Sequence, residues 1–214
     1  NVKLAGTYVG LSDSYDGASH HAITDISFTR AIPGMVVLTP SDAVMTGKAV
    51  RAVAAYEGPV YMRLSRAAAP VIYEETLNFA IGKGIRVREG ADVTIVVTGT
   101  LLSKALAAAD LLGNEGVMAD VIDMHTIKPL DEELLAASVK KTGAVVTFEE
   151  HSICGGLYGA VTEAVARFCP VPADGIGATS YAESGDYEAL LSKYGYTPEA
   201  LAEKVKKVIS RKAK

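Results

Sequence analysis

Met35-Val36-Val37-Leu38-Thr39-Pro40-Ser41-Asp42-Ala43, residues 35–43, is the stretch on which the fold turns. Four apolar residues in a row suit a strand buried on both faces, as strands of parallel sheets are. Thr39-Pro40 then breaks the run, and Ser41-Asp42 forms an N-cap signature ahead of an Ala- and Val-rich segment, 43–56. That segment reads as a helix ending at Gly58-Pro59. Upstream, Leu4–Val9 is another short apolar run, and 23–32 has helical spacing that Pro33-Gly34 stops. Downstream, Val60–Leu64 is a further strand. The order is βαβαβ, and because crossovers between parallel strands are right-handed, a parallel sheet is expected.

Periodicity fades from Ser65 to Lys83, where Ala67-Ala68-Ala69-Pro70 and Glu74-Glu75-Thr76 read as an extended linker. Past Gly84 the alternation resumes, with strands expected at 92–98, 117–122 and 144–149. Helices are expected at 101–112, 131–141, 157–168 and 198–211, the last with a basic end suited to the helix dipole. The expected organisation is an incomplete first domain (1–66), a linker (67–82) and a compact α/β domain (83–214). The first unit is too small to cover both faces of a parallel sheet. A missing N-terminal portion, or a partner chain that supplies it, is therefore expected.

With 49% hydrophobic and 21% charged residues in 214, the chain has material for real cores and is not disordered. Lys and Arg number 21 against 25 Asp and Glu, a net charge of -4, which leaves no electrostatic footprint for nucleic acid or anionic lipid. No apolar stretch approaches the roughly 20 residues that span a bilayer, and Asn1-Val2-Lys3-Leu4 does not open a signal peptide. A cytoplasmic protein, or one clipped from something larger, is expected. Cys154 and Cys169 build no disulfide framework and match no zinc spacing, so both are expected to be buried reduced thiols.

Several polar segments lie where strands end. Asp13-Ser14-Tyr15-Asp16-Gly17-Ala18-Ser19-His20-His21 follows a strand and precedes a helix, at the carboxyl edge where open parallel sheets bind ligands. It reads equally as an ordinary capping loop, with Asp13 and Ser19 satisfying backbone amides. Arg66, in Arg63-Leu64-Ser65-Arg66, could hold a phosphate bidentately or be a solvated surface arginine. Cys154-Gly155-Gly156-Leu157-Tyr158-Gly159 suggests a dinucleotide fingerprint, but cysteine takes the first glycine position, and close helix packing explains the glycines better. Glu149-Glu150-His151 could do acid/base work, although such clusters more commonly face solvent or an interface. In 125–131 the reading is structural, with Asp131 capping the helix that follows.

Taken together these segments resemble the C-terminal part of transketolase, especially the C-terminal subunit of split, two-chain forms. Asp16-Gly17-Ala18-Ser19-His20 resembles the motif D-G-[PA]-[ST]-H, and Ile32-Pro33-Gly34-Met35 through Asp42 resembles the following helix-to-strand turn. Leu64-Ser65-Arg66 resembles L-S-R. Lys128-Pro129-Leu130-Asp131 and Glu149-Glu150-His151 with Gly155-Gly156 resemble the C-terminal domain signature. The similarity covers nearly the whole chain. 1-Deoxyxylulose-5-phosphate synthase and the β subunits of 2-oxo acid dehydrogenases share the later motifs and remain alternatives. A non-catalytic structural or dimerisation subunit is an alternative of another class.

The resemblance implies a partial three-layer pyrimidine-binding domain with a parallel sheet, followed by a transketolase C-terminal-type α/β domain with a mostly parallel sheet. It implies a transferase of carbohydrate metabolism, of the pentose phosphate type, that moves a two-carbon ketol unit from a ketose phosphate to an aldose phosphate. Thiamine diphosphate with Mg2+ is the implied cofactor of the complete enzyme. Asp16 matches the aspartate that hydrogen-bonds the donor sugar, His20 the histidine near the thiamine aminopyrimidine and reacting oxygen, and Arg66 the arginine that holds the sugar phosphate. Tyr8 departs from the pattern, standing where many transketolases have another phosphate-side histidine. The family's cofactor-activating glutamate and its G-D-G metal motif have no counterpart here. The chain is therefore expected to bind no cofactor alone, to be inactive alone, to need an N-terminal subunit or region, and to form a homodimer through its C-terminal domain.

Overall fold

The computed structural model describes residues 1–212. In chain order they form β1 (Lys3–Gly6), α1 (Asp25–Ala31), β2 (Val36–Leu38), α2 (Ala43–Ala55), β3 (Val60–Arg63), β4 (Ile85–Arg88) and β5 (Val93–Val97). There follow α3 (Leu102–Asn114), β6 (Ala119–Asp123), β7 (Thr126–Lys128), α4 (Glu132–Thr142), β8 (Val145–Ser152), α5 (Leu157–Phe168), β9 (Ala173–Ala178), α6 (Tyr187–Lys193) and α7 (Pro198–Ile209). The mixed α/β class with mostly parallel sheets matches the expectation.

The first sheet has the order β1-β3-β2-β7 and the second β4-β6-β5-β8-β9. In the first, β3 runs parallel to both neighbours, with Val60 opposite Lys3 on one side and Val36 on the other. The N-cap read from the sequence is in place: the Asp42 carboxylate accepts from Met45 N at 2.7 Å. Below it, Ala49 and Val53 of α2 pack on Val36, Leu38, Val60 and Met62. The opposite face carries Val37 and Tyr61, which pack with Ile26 of α1 and with Leu157 and Val161 of α5. Part of the cover that the small first unit needs thus comes from the chain's own second half. So does its fourth strand, β7, which pairs antiparallel with β2.

In the second sheet only β4 runs antiparallel. Its inner strands β5, β6 and β8 bury apolar residues on both faces, with α3 and α7 covering one side and α4 and α5 the other. The elements the sequence reading passed over are the short or unfavourable ones. β7 has three residues, β4 has four, and β9 reads Ala-Asp-Gly-Ile-Gly-Ala, a poor strand by propensity. The β9 glycines fit a close approach: a Cβ at Gly175 would strike the Thr147 side chain, and one at Gly177 the backbone of 151–153.

Two local expectations are corrected. Cys154 is exposed and Cys169 half-buried, so neither is a buried thiol; both are free. Cys154 lies in the turn before α5, where the backbone has not yet entered the core.

Candidate active site at the carboxyl edge of the first sheet

The parallel strands β1, β2 and β3 end at Gly6, Leu38 and Arg63, so the segments after them share one edge, as ligand-binding loops of open parallel sheets do. The second sheet meets it there. A narrow crevice is lined by Val9, Thr39 and Arg63 from the first half and by Thr98, Gly99 and Glu150 from the second. Beside it opens a cleft of about 380 Å³ lined by Pro40, Ser41, Asp42, Leu64, Ser65 and Thr100 among others.

The loop after β1 is anchored at both ends. Leu11 N donates to the Glu150 carboxylate at 2.5 Å, Gly10 N to Ala22 O at 2.9 Å, and Gly185 N to Ser14 O at 3.0 Å. Gly10 has φ +65°, and a Cβ there would collide with the Glu150 carboxylate, which explains a glycine at this point. At the loop tip, Gly17 (φ +74°) opens a turn in which His20 N donates to Gly17 O at 2.9 Å. Asp16 and His20 are both exposed on this one loop. The His20 ring has its Nδ1 3.0 Å from Ser19 Oγ. His21 turns the other way: it is buried, neither ring nitrogen has a partner, and burial lowers its pKa, with His20 adding to the effect and Asp13 opposing it.

Arg66 is brought to the same place. Its guanidinium pairs with Asp13, and its Cζ lies 5.1 Å from the Tyr8 ring centroid. Ser12 Oγ accepts from Arg66 N at 3.1 Å. Asp13, read as a capping residue, is thus a counter-ion. Asp16 and His20 lie on the loop after β1, and Arg66, after β3, is tied to the start of that loop.

Beneath the loop lies a buried ionic network, and here the expectation for Glu149-Glu150-His151 is overturned. The three are 0%, 6% and 0% exposed, because β8 is a central strand of the second sheet and its end runs under the first. Arg63 holds Asp25 at 2.7 Å and donates to Glu150 O at 2.8 Å and Ala22 O at 2.9 Å. Tyr61 OH donates to Asp25 at 2.7 Å. Burial alone would raise the Asp25 pKa, but Arg63 and Tyr61 hold it below the usual carboxylate range. His151 accepts from Ile26 N at 3.1 Å through Nε2, and its Nδ1 lies 2.8 Å from Ser152 O. It is therefore a neutral imidazole at the start of α1, and burial together with Arg63 lowers its pKa to about 4. Glu149 accepts from Leu157 N at 2.5 Å and Tyr158 N at 2.7 Å. The N-terminus of α5, which the glycine loop offers as an anion site, is occupied by the chain's own carboxylate. A Cβ at Gly156 would overlap that carboxylate, so close packing accounts for the glycine.

Sequence reasoning missed a second buried cluster. Asp123, at the end of β6, accepts from Ser41 Oγ at 2.6 Å and Tyr73 OH at 2.8 Å. Burial raises its pKa to about 7 against both hydrogen bonds. Neighbouring Asp42 accepts from Ile72 N and Tyr73 N at 2.8 Å, which ties the connecting segment to both sheets. Only the Asp42 cap had a sequence signal.

Two family models match the chain: the transketolase pyrimidine binding domain over residues 1–71 and the transketolase C-terminal domain over 82–201. The chain is 40% identical over 213 residues to a 6-deoxy-6-sulfo-D-fructose transketolase subunit of Clostridium sp., covering 99% of this chain and 66% of that relative. It is 39% identical to a putative transketolase C-terminal section of Methanocaldococcus jannaschii, covering 96% of this chain and 65% of the relative. Among solved structures, a split gene transketolase described as an inactive beta4 tetramer superposes with a TM-score of 0.90 at 42% identity, covering 100% of this chain and 68% of that one. The chain spans just under two thirds of the length of the curated relatives it matches. With two family models in sequence order over most of its length, and relatives at this identity, the chain belongs to the transketolase family.

Proposed function

We propose that this chain is the C-terminal section of a split transketolase and that, with an N-terminal thiamine-binding subunit or region, it transfers a two-carbon ketol unit between sugar phosphates. The observation that carries the reading is that Arg66, after β3, is tied to Asp13, Tyr8 and Ser12 of the loop after β1, the loop that also carries Asp16 and His20. Residues 1–66 would be an incomplete pyrimidine-binding domain, 67–82 a linker and 83–214 the C-terminal domain. A homodimer through the C-terminal domain, in the cytoplasm, completes the proposal. Among the described residues no helix is long and apolar enough to cross a membrane.

The family depends on thiamine diphosphate, and what supports a one-ended contact with it is the donor set. His20, with Nδ1 beside Ser19, has Nε2 free to face a pyrimidine ring. Because the family's G-D-G motif has no counterpart in this sequence, the diphosphate and Mg2+ would be held by the N-terminal part. Bound there, the cofactor supplies the electron sink for carbon–carbon cleavage. Asp16, as an acceptor-only carboxylate, would orient a sugar hydroxyl. His20 would move a proton at the reacting oxygen. Arg66 would hold the far end of the sugar through the guanidinium edge that Asp13 leaves free.

The test is reconstitution. This chain, the N-terminal polypeptide, thiamine diphosphate and Mg2+ should together turn over xylulose 5-phosphate with ribose 5-phosphate, and this chain alone should not. No turnover by the assembly, with binding of the two polypeptides shown by size-exclusion chromatography, would refute the proposal.

A further inference from the structure

Arg66 is held on two sides. Its guanidinium pairs with Asp13, a carboxylate whose side chain is only 5% exposed, and its Cζ lies 5.1 Å from the Tyr8 ring centroid. The arrangement is built into the backbone. Ser12 Oγ accepts from Arg66 N at 3.1 Å and donates to Val9 O at 2.6 Å, while Val9 N donates to Leu64 O at 3.3 Å. Segment 8–13 is thereby stitched to 64–66. Tyr8 sits at φ 60°, the one positive φ outside glycine among the described residues. Such a conformation persists only where the surroundings over-determine it, and it clusters at functional edges.

The charges follow from the same residues. Arg66 is the only lysine or arginine in segments 8–22 and 64–66. Asp13 offsets it in direct contact, and the Asp16 carboxylate acts on the same guanidinium from further away. Tyr8, stacked where a cation would strengthen an anion site, adds no charge. A dianionic group brought to the free edge of Arg66 meets one guanidinium and two carboxylates. A singly charged or neutral group loses far less to those carboxylates and can still take the guanidinium N–H donors.

We propose that Asp13 is a specificity-determining residue, weakening the hold of Arg66 on a phosphate dianion relative to a tail with at most one negative charge, so that the far end of the sugar site accepts both. The inference rests on the reading of the chain as a transketolase section with Arg66 at the substrate's far end. It widens the substrates of that site beyond sugar phosphates.

The experiment uses the reconstituted enzyme and compares kcat/KM for ribose 5-phosphate with that for ribose as acceptor. Asp13→Asn should raise the phosphate-to-hydroxyl preference about tenfold, as expected when a guanidinium is released from its counter-ion. Asp13→Glu, which keeps the charge, should hold the preference near that of the unmodified enzyme. In an Arg66→Ala background, Asp13→Asn should no longer raise it. A preference that falls or stays within about twofold in Asp13→Asn, or moves equally in the Asn and Glu variants, overturns the proposal. A second measurement needs no variant: methanesulfonate should inhibit the unmodified enzyme at least as well as inorganic phosphate at pH 8, and much stronger inhibition by phosphate overturns it. An assembly that transfers to neither acceptor refutes the underlying reading instead, before any variant is made.

Discussion

Arg63 Nε lies 2.7 Å from Asp25 Oδ2 with both side chains buried, so the last residue of β3 is locked to the first residue of α1 directly under the site loop. The Asp25 pKa is held down, so the pair is ionic at neutral pH. Removing one member leaves a buried guanidinium without its counter-ion, a change that costs about 3–5 kcal/mol. Asp25→Asn should lower the unfolding free energy by that order in urea titration. A loss below about 1 kcal/mol would show that Glu150 and the backbone carbonyls suffice for Arg63.

The helix dipole of α5 is already used. Glu149 accepts from Leu157 N and Tyr158 N, where a dinucleotide diphosphate would have to sit. NADH added to the chain should therefore show no fluorescence enhancement and no calorimetric heat. Saturable binding, abolished by a bulky substitution at Gly155, would restore the nucleotide reading.

What the sequence showed and what it hid differ for a physical reason. The N-cap of α2 and the helix α5 were legible because a capping carboxylate and an amphipathic period are local signals. The segments that carry Asp16, His20 and Arg66 were legible as strand-end loops, but the choice of these three residues within them came from the family resemblance. β7 was not legible, since Thr126-Ile127-Lys128 becomes a strand only by pairing with β2, nearly ninety residues earlier in the chain. The burial of Glu149, Glu150 and His151 was hidden for the same reason: their partners Arg63, Ile26 and Leu11 come from the other half of the molecule. Charged residues in a row look solvated until a distant guanidinium is placed beneath them.

The Asp123 cluster predicts a pH dependence of stability. Its folded pKa is raised to about 7, above the ordinary carboxyl value, so the folded state holds a proton that the unfolded state releases. This group's contribution is complete below about pH 4 and is lost as pH rises toward 7, by up to about 1.4 kcal/mol per pH unit. Asp123→Asn keeps an acceptor for Ser41 and Tyr73 and cannot ionise. The difference in unfolding free energy, variant minus unmodified protein, should therefore grow between pH 4 and 7 and level off above. His125 and His151, with pKa values lowered to about 4, act in the opposite sense in both proteins and cancel in the difference. A difference independent of pH would show that Asp123 is ionised throughout.

Asp16 and His20 share one turn, yet their expected failures differ. Asp16 can only accept hydrogen bonds once ionised, so Asp16→Ala removes orientation of the donor sugar and should raise KM for xylulose 5-phosphate together with a loss of kcat/KM. His20 is assigned to proton movement in the reaction itself, an effect worth about 10²–10⁴-fold, so His20→Ala should lower kcat by that order with a smaller change in KM. Both side chains are exposed, and neither has a described contact with the buried network, so circular dichroism and the melting temperature of the chain should stay close to those of the unmodified protein. His20→Gln, which keeps a hydrogen-bond donor but cannot shuttle a proton near neutral pH, separates binding from proton transfer: it should resemble His20→Ala in kcat. Full activity in the Gln variant would assign His20 to hydrogen bonding alone. Unchanged turnover in both Asp16→Ala and His20→Ala would place the reacting groups elsewhere on the sheet edge.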